Sequence, residues 1–332
     1  NKEIEMFEKV TISDIANLVG VSKATVSYYL NGNYKKMSLQ TKEKIRLAIK
    51  ETGYQPSKIA QSLVTKNTRT IGVVIADITN PFISSVMKGI HDTCQQFGYS
   101  VNFTNSDNDI DIELENLNRL NQQNVSGIIL DSVDPNHSFI ETLSNDRLVM
   151  VDRQAKDIKV DTVVSDNKES TQIFLEKMQE TGYHDIYFVT YPIEGISTRE
   201  LRYEGFKEVV SSNPDKLIII TEDGSTQRIL DIIEHSEQKP GFLMMNGPTL
   251  LNFMKKLNQS TVSYPEDYGL GSYEDLEWMQ VLTPNVSCIK QDSYGIGCLA
   301  AQCLIEKISQ GNEPTTARLL EVKNQIVIRQ SF

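Results

Sequence analysis

The sequence predicts an α/β chain in three parts: a small three-helix head, a short linker, and a body of two doubly wound parallel-sheet lobes. Three observations lead there. The first is charge. The 332 residues carry a net −11, yet residues 1–70 hold 12 Lys/Arg against 6 Asp/Glu, a net of +6, which leaves −17 on the other 262. The second is periodicity. Short segments with helical spacing run to Gly53, and from Ile71 apolar strands alternate with amphipathic helices. Alternation at this spacing implies parallel sheets covered by helices. The third is that the alternation runs in two series, the second beginning near Asp161.

The head occupies residues 10–53. Thr11 precedes "ISDIANLVG", and Asp14 stands three residues later, the spacing of a capping box. Ile12, Ile15, Ala16 and Val19 fall on one face, and Gly20 permits a sharp turn. Ser22 caps a second helix, "KATVSYYL", whose Val26 and Leu30 face inward; Asn31-Gly32 ends it. A third helix starts at Ser38, places Ile45, Leu47, Ala48 and Ile49 inward, leaves Lys42, Lys44 and Lys50 to solvent, and stops at Gly53. Two short helices around a tight turn, braced by a third, make the helix-turn-helix plan.

In that plan the second helix enters a DNA major groove N-terminus first. Lys23, Ala24 and Ser27 then lie near base edges with Tyr28 a turn further in, while Tyr29 packs back on the core. Thr11 and Ser22, with the helix N-terminal amides behind them, are candidate phosphate contacts. Thr25 and Asn31 complete the candidate set on this helix. The bland alternative is a three-helix module that binds protein, and the basic balance of the head weighs against it. The acidic body would be repelled by a polyanion, which helps hold it off the duplex.

The linker, residues 54–70, reads as an extended "YQPS" followed by "KIAQSLVTK", two helical turns at most. So short a helix is marginal alone and needs a partner to fold.

Here the chain resembles a known family. "VTISDIANLVGVSKATVSYYLNG" and "YQPSKIAQSLVTKNTRTIGVVIADITNPF" are similar to the head and hinge of the lactose/galactose repressor (LacI/GalR) regulators. The resemblance implies a DNA-binding transcription regulator, read as a repressor, whose two lobes are like periplasmic sugar-binding proteins. It implies a homodimer on a pseudo-palindromic double-stranded operator, and a small-molecule effector between the lobes. Tyr54, Ser57, Ala60 and Leu63 are the implied hinge contacts, with Leu63 wedged between base pairs so that the bend repays the unstacking. Three crossovers are implied, near Asp161–Asp166, Gln291–Ser293 and Leu320–Val322. They divide the body into 71–162 with 291–320 and 163–290 with 321–332.

Ligands of open α/β sheets bind at the carboxyl ends of strands. Those ends offer Asp77, Phe82, Asp131, Arg153, Arg202, Asn246 and Glu274 as effector contacts. Thr198 joins them, and Gln291 corresponds to a cleft glutamine of the family. Arg202, in "RYEGF", matches an arginine that contacts effectors in many members. Two departures stand out. Gly247, in "MNGP", replaces the usual Asp, and Glu274, in "SYED", stands where "GFDD" is usual. The lone Trp278, in "EDLEW", loosely resembles regulators of gluconate or ketodeoxygluconate use. Two cleft arginines suit such a sugar acid.

Enzyme signatures are weak. "GIG" at 295–297 lacks the third glycine of a nucleotide fingerprint, and GxxxxGK[ST], GxSxG and HExxH do not occur. The expectation is no catalysis, no cofactor and no metal. The rival readings are an enzyme or sugar-binding protein with a regulatory DNA-binding head, and a regulator controlled by a protein partner. The four cysteines show no ligand spacing and read as reduced, buried thiols. No apolar run nears the roughly 20 residues of a membrane helix. "NKEIEMFEKV" has no signal-peptide core, so a cytoplasmic location is expected. The helix after Asn80 is a candidate dimer face through Phe82, Val86 and Ile90, unless its own lobe buries them.

Overall fold

A computed structural model describes residues 10–54, 68–143, 145–310 and 316–332. The chain divides near residue 68 into two compact units.

The first unit is the head, with α1 at Ile12–Val19, α2 at Lys23–Leu30 and α3 at Leu39–Thr52. Thr11 and Asp14 form the full capping box, and Gly20 turns the chain with φ 74°. Ser22 and Ser38 cap the other two helices by accepting from Thr25 N and Thr41 N. Ile15, Ala16, Val26, Ile45, Ala48 and Tyr54 form the core. Leu47 does not join it. It is 42% exposed, because two residues from Ile45 is nearly the opposite face of a helix. Tyr54, expected at the DNA surface, is instead 8% exposed inside this core.

The second unit has two lobes. In lobe one, β1 (Thr70–Ile75), β2 (Ser100–Asn105), β3 (Gly127–Leu130), β4 (Leu148–Val151), β5 (Thr162–Ser165) and β11 (Leu319–Val322) form a sheet in the order β11-β5-β4-β3-β1-β2. All its pairings are parallel. Helices α4 (Pro81–Gln96), α5 (Ile110–Gln122) and α10 (Ser293–Gln310) accompany it. Lobe two orders β12 (Gln325–Val327), β10 (Ser287–Lys290), β9 (Gly269–Tyr273), β8 (Gly241–Met244), β6 (Ile186–Thr190) and β7 (Leu217–Ile219) as β12-β10-β9-β8-β6-β7. Only β12 runs antiparallel to its neighbour there. Its helices are α6 (Asn167–Glu180), α7 (Ser197–Val209), α8 (Ser225–His235) and α9 (Gly247–Leu257).

The chain crosses between lobes at Asp166, at Gln291–Asp292 and at Lys323–Asn324. Because β5 and β11 lie wholly in the first sheet, the divisions expected after 162 and 320 fall instead after Ser165 and Val322. The crossings are laced together: Ser165 Oγ donates to Gln291 Oε1 at 3.0 Å, and Asn324 N to Asp166 Oδ1 at 3.0 Å. Between β3 and β4 the described chain makes only short 3₁₀ turns, at Ser138–Thr142 and Asn145–Arg147. Strands β10, β11 and β12, three or four residues each, escaped the sequence reading.

Lobe one uses the inner face of α4 for itself. Phe82, Val86 and Ile90 are 5%, 1% and 0% exposed. The α4 and α10 backbones nearly touch: a Cβ on Gly89 would lie 2.2 Å from the Tyr294 carbonyl oxygen, and one on Gly297 2.1 Å from that of Val86. At the amino ends of β5 and β11 the fully buried Asp161 accepts from Arg318 at 2.7 Å and faces the Lys307 ammonium at 3.4 Å. Among the described residues no helix is long and apolar enough to cross a membrane.

Candidate DNA-reading helix and inter-lobe cleft

On the head, Ser22, Lys23 and Ala24 are exposed, and Thr25, Ser27 and Tyr28 are half-buried. Lys36 lies over the Tyr28 ring at 4.4 Å from its centroid, so this tyrosine has a cation beside it. Tyr29 packs against the head core. Asn31 Nδ2 donates to the Ser27 carbonyl at 2.9 Å and to Ser27 Oγ at 3.3 Å, which partly occupies both side chains. Thr11 is exposed, and its hydroxyl donates to Asp14 at 2.6 Å. Ser57, Ala60 and Leu63 lie outside the described residues.

In the second unit the carboxyl ends of the two sheets face each other, and hydrogen bonds span the gap. Gln154 N, just past β4, donates to Ser197 Oγ at the start of α7 at 2.9 Å. Arg202 Nη2, from α7, donates to Gln291 Oε1 at 2.9 Å, the oxygen that also accepts from Ser165. A cavity of about 400 Å³ lies between the lobes beside the first of these bonds, lined by Gln154, Lys156, Ser197, Glu200 and Glu204 among others.

Arg202 is 4% exposed. Besides Gln291 it donates to Asn167 Oδ1 at 2.8 Å and to the Met245 carbonyl at 2.7 Å, and it lies 3.8 Å over the Tyr273 ring. Arg153 spends its guanidinium in lobe one, on the carbonyls of Ser132 and Val133 (3.3 and 2.9 Å) and on Asn108 Oδ1 (3.2 Å). Asp77 accepts from Thr79 N at 2.8 Å and from Asn108 at 3.3 Å, which orders the loop after β1. Asn246 caps α9 by accepting from Thr249 N at 2.9 Å. Thr198 is buried on the first turn of α7, Phe82 is buried in the core of lobe one, and Trp278 packs at the edge of the lobe-two core.

The carboxylates are more telling. Asp131 is 2% exposed; Oδ2 accepts from Ala76 N at 3.1 Å, while the buried Oδ1 has no partner among the described residues. Burial, helped by the charge of Asp152, pushes its carboxyl up to about 7. Burial also pushes Glu274 up to about 7 against the pull of Arg202, and again Asp152 adds to the rise. Asp152 itself is raised by desolvation, opposed by Arg153 and Arg202. Asp152 and Glu274, one from each lobe, both directly follow a strand and both hold positive φ, 65° and 70°. Non-glycine residues held there store strain that tends to gather at ligand sites.

Of the effector residues read from sequence, the structure brings Asp131, Arg153, Arg202, Glu274 and Gln291 into one electrostatic neighbourhood. Two more belong to it that the sequence reading passed over. Asp152 closes the apolar run "LVMVD", where a carboxylate ends a buried strand. Arg199 lies half-buried one residue after Thr198, its pKa lowered by burial and by the charges of Arg153 and Arg202.

Comparison with known proteins accords with both units. Residues 11–57 match the bacterial regulatory proteins of the lacI family, and residues 71–260 match a periplasmic binding protein domain. The HTH-type transcriptional regulator KdgR of Bacillus subtilis (strain 168) is 33% identical over 97% of both chains. The chain belongs to the lacI family. Another relative of this lacI-family regulator is the HTH-type transcriptional regulator PtxS of Pseudomonas putida, 31% identical over 98% of this chain and 96% of its own. In fold it matches the lac repressor dimer bound to operator and the anti-inducer ONPF, with a TM-score of 0.81, 22% identity, and 98% and 99% of the two chains covered. A lacI-family chain with this head is a DNA-binding transcription regulator.

Proposed function

We propose that this regulator is a repressor of carbohydrate-metabolism genes whose operator affinity is set by a sugar acid held between the two lobes. It acts in the cytoplasm as a homodimer, and its twofold symmetry asks for a pseudo-palindromic operator. Lys23, Ala24, Thr25, Ser27 and Tyr28 read the major groove. Thr11, Ser22 and Asn31 steady the helix on the backbone, and Ser57, Ala60 and Leu63 act in the hinge. Tyr54, sunk in the head core, supports that surface from behind.

What supports the effector class is a set of three arginines, Arg153, Arg199 and Arg202, the first two joined through the Gln154–Ser197 hydrogen bond beside the inter-lobe cavity, with the charges of Arg153 and Arg202 both bearing on Arg199 and carboxylates at the neighbouring strand ends. Asp131, Asp152 and Glu274 suit effector hydroxyls, which donate to carboxylate oxygens. The arginines suit a carboxylate. Arg202 and Gln291 bridge the lobes, so an effector touching either biases the lobe angle, and DNA and effector affinities are coupled reciprocally. Asp77, Asn246 and Thr198 shape the cleft walls, and Phe82 backs them from the core. The test is a thermal-shift screen of sugar acids and neutral sugars, read beside operator binding. The expected result is a sugar acid that raises Tm and changes operator affinity together. A Tm shift from sugar acids with operator affinity unmoved would overturn the proposal.

A further inference from the structure

We infer that Arg199 is the residue that grips the effector's carboxylate, at the seam where the first turn of α7 meets the segment after β4. This rests on the sugar-acid reading and names the group within that site that selects for it.

The three cleft arginines differ in what they have left to offer. A guanidinium carries five N–H donors in a fixed fork. Arg202 has committed all three of its nitrogens, to Asn167, Met245 and Gln291, and its flat face to Tyr273. Arg153 has committed both terminal nitrogens to lobe-one carbonyls and Asn108. These two hold the walls of the cleft in place. Among the described residues Arg199 has one hydrogen bond, from Nη1 to the Pro192 carbonyl at 2.7 Å, and its guanidinium carbon lies 5.7 Å from the Tyr191 ring centroid. Those contacts set its direction and leave Nε and Nη2 to spare.

Its place is fixed from both sides. Ser197, two residues earlier on α7, accepts from Gln154 N at 2.9 Å, and Gln154 directly follows Arg153. That bond pins the turn carrying Arg199 against the segment carrying Arg153. The charges that bear most on Arg199 are those of Arg153 and Arg202, both of its own sign. The carboxylates Asp131, Asp152 and Glu274 act on one another and on Arg153 and Arg202. A half-buried cation among like charges, with spare donors in a planar fork, is completed by a carboxylate bound through two parallel hydrogen bonds. A hydroxyl in the same place could accept a hydrogen bond but would neutralise nothing.

The experiment is calorimetry on the full chain with two matched pairs of probes: D-gluconate and D-glucitol, and D-galactonate and D-galactitol. Each pair differs only in carboxylate against hydroxymethyl at one carbon. The wild type should bind the acid of one pair at least about tenfold more tightly than its alcohol. Arg199→Gln should lose most of that margin by weakening the acid. Arg199→Lys, which keeps the charge and loses the fork, should retain part of it and controls for folding. If Arg199→Gln keeps the full margin, the inference fails and the sugar-acid reading stands. If the wild type binds the alcohols as tightly as the acids, the reading itself fails and the inference with it.

Discussion

Glu274 Oε2 accepts a hydrogen bond from the backbone N–H of Gly247 at 3.1 Å, and a Cβ on residue 247 would lie 2.7 Å from that same oxygen. Gly247 and Glu274, the two positions singled out in the sequence as departures from the motifs it resembles, are therefore one feature. The longer glutamate reaches the first turn of α9, where an acid is favoured by the helix dipole, and it does so through space that any side chain at 247 would fill. Leu276 Cδ1 closes the same space, 2.4 Å from that Cβ position. Gly247→Ala should cost about 1–3 kcal/mol, the usual range for overpacking. In a Glu274→Ala background the cost should shrink, with a coupling above about 0.5 kcal/mol. Urea denaturation of the four proteins measures it, and equal costs in both backgrounds would show the positions to be independent.

Stability of the effector-binding body should fall as pH rises through neutrality. Burial holds Glu274 and Asp131 up to about 7, against about 4 for the same groups in an unfolded chain. Between those values the folded state binds more protons than the unfolded state, so the stability contribution is fully present at acid pH and lost on the way to about 7. Melting curves across this range should show Tm declining with pH. Glu274→Gln should flatten the decline without abolishing it, because Asp131 remains.

Asp161 behaves in the opposite sense. Its burial works against ionisation, but hydrogen bonds from Arg318 and Cys303 and the Lys307 charge win, and its carboxyl is lowered. Its stabilisation is present above the unfolded value near 4 and is lost as pH falls below it. Asp161→Asn removes the only carboxylate charge facing Lys307 among the described residues, a side chain that is only 5% exposed, and removing one partner of a buried pair costs about 3–5 kcal/mol. Denaturation at neutral pH should show that loss. A change under about 1 kcal/mol would mean that the acceptors Lys307 already holds, the Asn145 and Leu148 carbonyls at 2.9 and 3.2 Å, are enough without the Asp161 charge.

Tyr28 on α2 should set a base preference rather than forbid one. Its ring and hydroxyl suit a thymine methyl and a polar edge, whereas an arginine there would favour guanine. Selection from randomised half-sites should return different bases at one position for Tyr28→Arg and unchanged bases elsewhere. Lys23→Ala should likewise relax base choice at one position of the half-site and cost about 1–3 kcal/mol on the preferred sequence.

The head was readable almost residue by residue, because caps and turn glycines act locally: Thr11 with Asp14, Ser22, Ser38 and Gly20 all do what their types dictate. Leu47 is apolar but lies two residues from Ile45, on nearly the opposite face of α3, where residue type alone does not separate the inner from the outer face. In the body, long apolar runs such as "IGVVIA" betrayed their strands, but β11 and β12 are half-exposed edge pieces whose pairing is set by the crossovers. The cleft was legible in outline. What sequence could not give was which arginines are already spent, since the Arg202–Gln291 and Arg153–Ser132 contacts join residues far apart in the chain. Asp152 hid at a strand end, and Arg199 hid beside an arginine with a familiar motif.

The seam between α4 and α10 bears on how sequences of this kind can drift. With carbonyl oxygens 2.2 Å and 2.1 Å from the Cβ positions of Gly89 and Gly297, every other amino acid at either site must first push two helices apart. Doing so would open the packing of Val86, Ile90 and Ile296, all 1% exposed or less. Neither glycine has a neutral single step available, whereas the outward Lys88 and Gln302, exposed on the same two helices, are free to wander. Lineages descending from this chain should therefore differ on the rim of lobe one long before they differ along this seam.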